Sequence, residues 1–264
     1  MLRTVTILAF ILSLTVQVGY PLAAILYFRR STRTPWRLYL YGALIFATFQ
    51  LFTWLPIATF VDVIWGEAIK SAWGAFAWLV AMALVATLVE EGGRLLGYRY
   101  LFPRGNLDLE WRNGVAYALG HNALETMWLI AGLTFISFVA YLIIGRMDIA
   151  AVVAAMAEEQ QHVDPSILYE IADVSWTQPL IVALERVLAL PHQLAWSLLV
   201  MESLASKQKR WFGFAVLYHA SIAIIVPGLA RLAGFAVAES VNLVFAAISV
   251  WIVARLYELS EQRG

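Results

Sequence analysis

Seven long apolar stretches dominate the sequence and decide what kind of fold the chain can adopt. They cover roughly Val5–Phe28, Leu38–Trp65, Trp73–Arg94, Gly114–Ile144, Pro179–Ala205, Trp211–Ala230 and Phe235–Leu256. A helix needs about 20 mostly apolar residues to cross the hydrocarbon core of a bilayer, and each stretch is long enough. Runs such as Ala77–Val89 lack the alternation typical of the short strands of a β-barrel. The sequence therefore predicts an all-α, polytopic membrane helical bundle with about seven transmembrane helices.

The composition supports this interpretation and excludes several classes of function. Hydrophobic residues make up 62% of the chain and charged residues only 14%, against about 25% charged in soluble domains. The 18 basic and 18 acidic residues cancel, so no broad basic surface for nucleic acid is expected. The chain has no cysteine, which excludes disulfides, thiolate zinc sites and cysteine nucleophiles. The first apolar stretch is too long for the core of a signal peptide, and we interpret it as a retained helix.

The positions of lysine and arginine predict the orientation of the chain. The loops on one side carry thirteen of them: Arg29, Arg30, Arg33, Arg37, Arg94, Arg99, Arg104, Arg112, Lys207, Lys209, Arg210, Arg255 and Arg263. The loops on the other side carry only Arg3, Lys70, Arg146 and Arg231. Because basic residues are enriched in cytoplasmic loops, we expect the N-terminus outside and the C-terminus in the cytoplasm.

One integral membrane domain is predicted over residues 1–264, because no repeat or linker interrupts the sequence. The longest loop, residues 145–178, falls on the outer side. Asp148 and the pair Asp164–Pro165 are typical of helix starts, so two short helices on the membrane surface are expected there.

Ionisable residues within the apolar stretches are the candidate functional residues, because each is costly in a bilayer unless it is paired or hydrated. They are Glu90, Glu91, His121, Glu125, Glu185, Arg186, His192, Glu202, His219 and Glu239. Counted from the basic helix ends, four helices bring acid or imidazole groups to the cytoplasmic half of the bilayer. Pro191 predicts a kink or a break in its helix next to His192.

The spacing of these residues favours a metal-assisted hydrolase. His121 and Glu125 are four residues apart, so they share one helix face and offer nitrogen and oxygen to one divalent ion such as zinc. His192 and His219 complete a ligand set with a position left for water, whose pKa a metal would lower. The adjacent Glu90 and Glu91 supply a general base and a second carboxylate. Arg94 holds one of them ionised or binds a substrate carboxylate.

Structural roles remain open for several of these residues. A single buried histidine most often makes a helix-to-helix hydrogen bond. Glu185 and Arg186 are adjacent on a helix, cannot face each other, and fit a structural role as well as a functional one. Glu202 reaches the membrane surface, Glu239 lies near the outer end, and Gly92, Gly93 and Gly97 favour close helix packing. Ser197 and Ser221 are the candidates for a serine protease, and neither has a clear histidine partner.

Four segments resemble the ordered motifs of a known family. EEGGR (Glu90–Arg94), GHNALE (Gly120–Glu125), ERVLALPHQLAWS (Glu185–Ser197) and YHASIA (Tyr218–Ala223) are similar to those of the YhfC family of intramembrane metalloproteases. That family resembles the wider group of type II CAAX-prenyl proteases, PrsW proteases and the APH-1 subunit of γ-secretase. The resemblance covers about Trp73–Gly228. Two positions depart from the usual pattern: Ala223 stands in place of Asp or Asn, and Asn122 in place of Gly.

The resemblance implies Glu90 or Glu91 as the base and His121, His192 and His219 as metal- or water-binding residues. The expected function is an intramembrane endopeptidase that cleaves near the cytoplasmic leaflet, with Asn122 donating to the oxyanion. Zinc is the expected cofactor, although some members of the wider group resemble metal-free sites. The expected substrate is a membrane protein or a lipidated peptide, and the expected location is a bacterial or archaeal plasma membrane.

Three alternatives stay open at this point. The first is a non-catalytic membrane scaffold resembling APH-1, which Ala223 favours and the adjacent Glu90 and Glu91 disfavour. The second is a transporter or proton relay built on the intramembrane acids, which predicts a pathway open in turn to both faces. The third is a bis-histidine haem site.

Overall fold

The computed structural model describes residues 2–66, 69, 71–158 and 164–262, and these ranges hold nine helices and no strand. The helices are α1 (Thr4–Thr32), α2 (Trp36–Trp65), α3 (Ala72–Arg104), α4 (Trp111–Ile144), α5 (Ile149–Glu158), α6 (Ser166–Ala172), α7 (Thr177–Ala205), α8 (Arg210–Ala233) and α9 (Phe235–Glu261). All except α5 and α6 are long and apolar enough to cross a membrane. The predicted all-α membrane bundle with seven spanning helices is thus confirmed, whereas the orientation of its termini stays a prediction.

Helix α7 differs from the other spanning helices in how much of it the protein covers. In its most apolar stretch 72% of the residues are buried, against 28% or less in each of the others. Polar side chains on α7 therefore lie against protein, where partners are available, rather than against lipid. Of the kink or break predicted at Pro191, the break is absent, because the helix runs without interruption from Thr177 to Ala205, and a kink stays a prediction. Spanning helices tolerate an internal proline because neighbouring groups replace the lost backbone bond.

The described chain divides into two compact units, and the division runs through α1, α4 and α7. The smaller unit comprises residues 1–20 and 126–187, and the larger comprises residues 21–125 and 188–264. In the smaller unit, the Ser13 hydroxyl donates to the Pro179 carbonyl at 2.6 Å, and the Phe10 and Phe138 rings stack at 5.1 Å. A single domain over the whole chain stays a prediction.

In the larger unit, two glycines bring α2 and α4 into backbone contact. A Cβ added at Gly42 would overlap the carbonyl oxygen of Tyr117, and one at Gly120 would overlap that of Tyr39. Only glycine permits such an approach, which is a common way for membrane helices to pack. This crossing fixes the position of α4 at the residue just before His121.

Three of the long helices contain a segment of π-helix. Two of these segments lie in the larger unit, and the third begins at Glu125, the last residue of its first range. They span Ala47–Trp54 in α2, Gly97–Leu101 in α3 and Glu125–Ile130 in α4. Such segments change the direction in which the following side chains point, and they occur frequently at functional sites. The first contains Gln50 and the third begins at Glu125, and both residues contact the site described below.

Two short helices form in the long loop, as the sequence predicts. The Asp148 carboxylate accepts from the Ala151 N–H at 3.2 Å at the start of α5, and Asp164 accepts from the Ser166 N–H at 2.9 Å at the start of α6. The hydrogen bond from Ser166 holds the pKa of Asp164 below its ordinary value. Their expected position on the membrane surface stays a prediction, and the fourth histidine of the chain lies outside the described residues.

Candidate active site

The EEGGR segment of α3 places two carboxylates and one guanidinium together inside the larger unit. Arg94 donates from Nη1 to Glu91 Oε1 and from Nη2 to Glu90 Oε1. The side chains of Arg94 and Glu91 are fully buried, and that of Glu90 is 11% exposed. Because residues three and four apart share one face of a helix, α3 itself builds this arrangement. With both carboxylates ionised, the group carries one net negative charge.

Histidines from two other helices contact these carboxylates. His121 Nε2 on α4 lies 3.2 Å from Glu90 Oε1 and 3.1 Å from Arg94 Nη2. On α8, His219 Nδ1 lies 2.7 Å from Glu91 Oε1. Since a guanidinium only donates, His121 Nε2 either accepts from Arg94 or donates to Glu90. Each carboxylate therefore has its own histidine.

Two amides outside the predicted site, the buried Gln193 and the half-buried Gln50, complete these contacts. Gln193 on α7 accepts from Arg94 at Oε1, and its Nε2 donates to Glu125 Oε2 at 2.6 Å and reaches Glu90 Oε1 at 3.5 Å. Gln50 Nε2 donates to Glu90 Oε2 at 2.6 Å. Their signal was a polar side chain within an apolar stretch, which a search restricted to ionisable residues overlooks. We call Glu90, Glu91, Arg94, His121, Gln193 and His219 the carboxylate cluster.

His192 lies outside the carboxylate cluster, so the ligand set predicted from the sequence does not come together as a whole. Its Nδ1 is 2.8 Å from Ser249 Oγ, and its Nε2 is 3.1 Å from Asn242 Oδ1, both on α9. Ser249 Oγ also lies 2.8 Å from the Tyr218 hydroxyl. The physical reason is helix geometry: neighbouring residues point about 100° apart, so Gln193 faces α3 while His192 faces α9. We call His192, Tyr218, Asn242 and Ser249 the His192 cluster.

The ring of Trp196 stands between the two clusters. It stacks on His219 with ring centroids 3.7 Å apart, and on His192 with centroids 5.6 Å apart. The guanidinium carbon of Arg94 lies 5.8 Å from the Trp196 centroid, within the range of a cation–π contact.

The remaining predicted site residues take several positions. Glu125 contacts the carboxylate cluster through Gln193. Asn122 is fully buried, and its amide has no hydrogen-bond partner among the described residues. Ala223 offers no polar side-chain atom one turn after His219. The serine candidates have other partners, since Ser197 pairs with the Tyr98 hydroxyl at 2.7 Å and Ser221 donates to its own helix.

The glycines in the first motif and just after it differ in how closely they pack. A Cβ at Gly93 would lie 2.7 Å from the ring of Phe49, and one at Gly97 would overlap the Tyr117 hydroxyl oxygen. Close packing is therefore confirmed for these two glycines. Gly92 has no such neighbour within 4 Å in the part of the chain that the structure describes.

The carboxylate cluster has a donor set that fits a divalent metal ion. One ligand atom each from Glu90, Glu91 and His219 lies within 4.8 Å of the others, and among the described residues no other group meets this criterion. Carboxylate oxygen and imidazole nitrogen are ligands that zinc accepts. Glu91 Oε2 is buried without a hydrogen-bond partner in the described ranges, as expected of an atom that receives an exogenous ligand.

Comparison with known proteins agrees with this chemistry. A model of the YhfC intramembrane metalloprotease family matches residues 12–247. The uncharacterized membrane protein YhfC of Bacillus subtilis (strain 168) is 26% identical over 239 residues, which cover 88% of this chain and 90% of that protein. No solved structure matches the chain. The family model spans all of the helices that contribute to the carboxylate cluster, and the chain therefore belongs to the YhfC intramembrane metalloprotease family.

Proposed function

We propose that the chain is an intramembrane endopeptidase that hydrolyses a peptide bond of a membrane protein or lipidated peptide. The observation that carries the proposal is the convergence of Glu90, Glu91, His121 and His219, from three helices long enough to span a membrane. Buried ionisable residues are expensive in such helices, so their assembly in one place indicates a function. The family membership supports the same chemistry.

Glu90, Glu91 and His219 would hold the metal ion, and zinc is the ion that this ligand set favours. A bound divalent ion would polarise the scissile carbonyl and make water a stronger nucleophile at neutral pH. Catalysis by glutamate-activated water without a metal is the alternative that a metal analysis of the purified protein distinguishes.

Without a metal ion, the base would be one of the two glutamates, and Glu90 fits this role better. Its side chain keeps an exposed fraction of 11%, whereas that of Glu91 is fully covered. Gln50 fixes one oxygen of Glu90, and Arg94 favours its ionised form by charge. The proton taken from water would pass to His121, 3.2 Å away, and then to the leaving amine. Water is thereby added across the peptide bond, with hydroxide to the carbonyl carbon and the proton to nitrogen.

The place of cleavage and the cellular location are also proposals. The lysine and arginine count puts the EEGGR end of α3 at the cytoplasmic side, so cleavage would occur near the cytoplasmic leaflet of a bacterial or archaeal plasma membrane. Asn122, whose buried amide has no partner among the described residues, is the proposed donor to the oxyanion.

The test identifies the new termini that cleavage creates in the membrane proteins of a cell. It compares cells that express the wild type with cells that express Glu90→Gln, Glu91→Gln or His219→Ala. Membrane proteins cleaved only with the wild type are candidate substrates, and cleavage is then repeated with purified components in proteoliposomes. Glu239→Gln is the matched control, because it removes a membrane glutamate that pairs with Asn242 instead. Cleavage that persists at the wild-type rate in all three site variants would refute the proposal.

A non-catalytic scaffold resembling APH-1 is the second candidate, and Ala223 is the observation that favours it. In that function the carboxylate cluster would stabilise packing and partner binding. The scaffold predicts co-purification with a partner, no cleavage by the wild type, and no metal binding when the purified protein is titrated.

A further inference from the structure

Arg94 is a permanent cation placed between the two carboxylates that the metal site needs. It is fully buried and donates to Glu90 and Glu91 from the same helix. We propose that Arg94 and a divalent metal ion compete for these two carboxylates, so that the site binds its metal weakly and exchanges it. This inference rests on the metal site of the proposed function.

Charge balance is the first argument for competition. Glu90 and Glu91 together carry two negative charges, which match one divalent ion. The guanidinium never loses its proton in a protein and therefore cancels half of that charge permanently. A divalent ion among ligand atoms that lie within 4.8 Å of one another would then stand close to a second cation in a low-dielectric interior. The repulsion lowers the affinity for metal.

The atoms that Arg94 contacts give the second argument. Glu91 Oε1 accepts from Arg94 and also contacts His219 Nδ1, while Glu90 Oε1 accepts from Arg94 and contacts His121. The carboxylate oxygens directed at the histidines are therefore the ones that the guanidinium occupies. Glu91 Oε2 is free of Arg94, but a metal ion that also used the two oxygens directed at the histidines would have to weaken the hydrogen bonds of Arg94.

Alternative partners for Arg94 give the third argument. Its Nη2 also donates to Gln193 Oε1, and its Cζ lies 5.8 Å from the centroid of the Trp196 ring. An amide oxygen and an aromatic face both stabilise a guanidinium without supplying a negative charge. Arg94 is thus able to release a carboxylate and remain bound inside the protein, which makes exchange with a metal reversible.

The test measures metal affinity directly, without a substrate. Wild type, Arg94→Met and Arg94→Lys are purified in detergent, stripped with a chelator and titrated with Co²⁺ by visible absorption, and with Zn²⁺ against a zinc-binding dye. Arg94→Met removes the charge and keeps a long side chain, and we expect its Kd to be at least about 10-fold tighter, which corresponds to about 1.4 kcal/mol. Arg94→Lys keeps the charge, and its Kd stays within about 3-fold of the wild type.

A second substitution locates the binding. Glu91→Gln in the Arg94→Met background removes one of the competed carboxylates, and the gain in affinity is lost. Equal or weaker metal binding by Arg94→Met than by the wild type overturns the proposal, and so does the absence of binding in every variant. Because the titration needs no substrate, its result does not depend on whether the chain has the proposed protease activity.

A second measurement keeps the test valid if the metal-free Arg94→Met variant does not stay folded. The midpoint of thermal unfolding, Tm, is recorded for each variant with and without Co²⁺. Competition predicts a larger increase in Tm on Co²⁺ addition for Arg94→Met than for the wild type, because the metal replaces the missing cation. An increase no larger than that of the wild type contradicts the proposal.

Discussion

The two polar clusters of the larger unit differ in whether their side chains are held together by opposite charges or by neutral hydrogen bonds. The carboxylate cluster contains two carboxylates and a guanidinium, all in contact. The His192 cluster consists of an imidazole, an amide and two hydroxyl groups joined at 2.8–3.1 Å. One cluster therefore depends on charge compensation, and the other on hydrogen bonds between side chains that can be neutral.

They differ also in how completely their polar atoms are used. In the carboxylate cluster, Glu91 Oε2, Arg94 Nε and His121 Nδ1 are buried without a partner among the described residues. No polar atom of the His192 cluster is in that condition within the same ranges. Buried polar atoms are normally paired, and exceptions concentrate where a ligand or a reaction uses them. We therefore expect chemistry at the first cluster and structural stabilisation at the second.

Substitution of the two histidines tests that assignment with the largest expected effect. His219→Ala removes a candidate metal ligand and is expected to lower the cleavage rate by up to about 10⁴-fold. His192→Ala removes hydrogen bonds to Asn242 and Ser249 and is expected to lower the rate less than about 10-fold. The rates are measured in proteoliposomes with one substrate and equal amounts of folded protein.

The sequence motifs alone make the two histidines equivalent, so this pair separates the two interpretations. Equal loss of cleavage and of bound metal in both variants would mean that His192 joins the site, and the comparison between the clusters would fail. Glu239→Gln again serves as the control for the loss of a carboxylate outside the carboxylate cluster.

Removal of Arg94 has the largest expected effect on stability. Arg94→Met leaves Glu90 and Glu91 buried without their cation, and breaking a buried ion pair in this way costs about 3–5 kcal/mol in the free energy of unfolding. Thermal or denaturant unfolding in detergent micelles, in the presence of a chelator, measures the change. Glu90→Gln in the same background removes one uncompensated charge and recovers part of the loss. No recovery would mean that packing, and not charge, is what Arg94 contributes.

The sequence was sufficient to predict the spanning helices and the pairing within α3. Helix length follows from the apolar stretches, and the three- and four-residue spacing places Glu91 and Glu90 beside Arg94. The approach of His121 and His219 to these carboxylates followed from their depth, because residues at one depth on packed helices can meet.

The rotation of α7 and the π-helical segments could not be predicted in the same way. His192 and Gln193 are adjacent, and only the packing of α7 decides which of them faces α3. A π-helical segment rotates all later residues about the helix axis. The sequences of Ala47–Trp54 and Glu125–Ile130 contain no signal that predicts such a segment. Gln50, which donates to Glu90, lies within such a segment.

Gln193 offers a finer test of the carboxylate cluster. Its amide presents oxygen to Arg94 and nitrogen to Glu125, so a substitution affects both ends. Gln193→Leu is expected to cost about 1–3 kcal/mol in the free energy of unfolding, because a buried donor and acceptor lose their partner. Gln193→Glu keeps the shape and the contact with Arg94 but sets a carboxylate against Glu125 and Glu90.

We therefore expect Gln193→Glu to bind Co²⁺ more tightly than the wild type, since it adds a negative charge, while Gln193→Leu does not. Equal metal affinity in the two variants would show that Gln193 has only a packing role. The same titration and unfolding measurements apply to both.

The smallest effect is expected in the His192 cluster. Ser249→Ala removes a hydroxyl shared by His192 and Tyr218, and the Tyr218 hydroxyl keeps its hydrogen bond to the Phe245 carbonyl at 2.6 Å. The loss of neutral hydrogen bonds is expected to cost about 0.5–1.5 kcal/mol in the free energy of unfolding. Metal affinity and cleavage rate stay at the wild-type level, because the ring of Trp196 separates this cluster from His219. A change in metal affinity above about 3-fold would show that the two clusters act together through that ring.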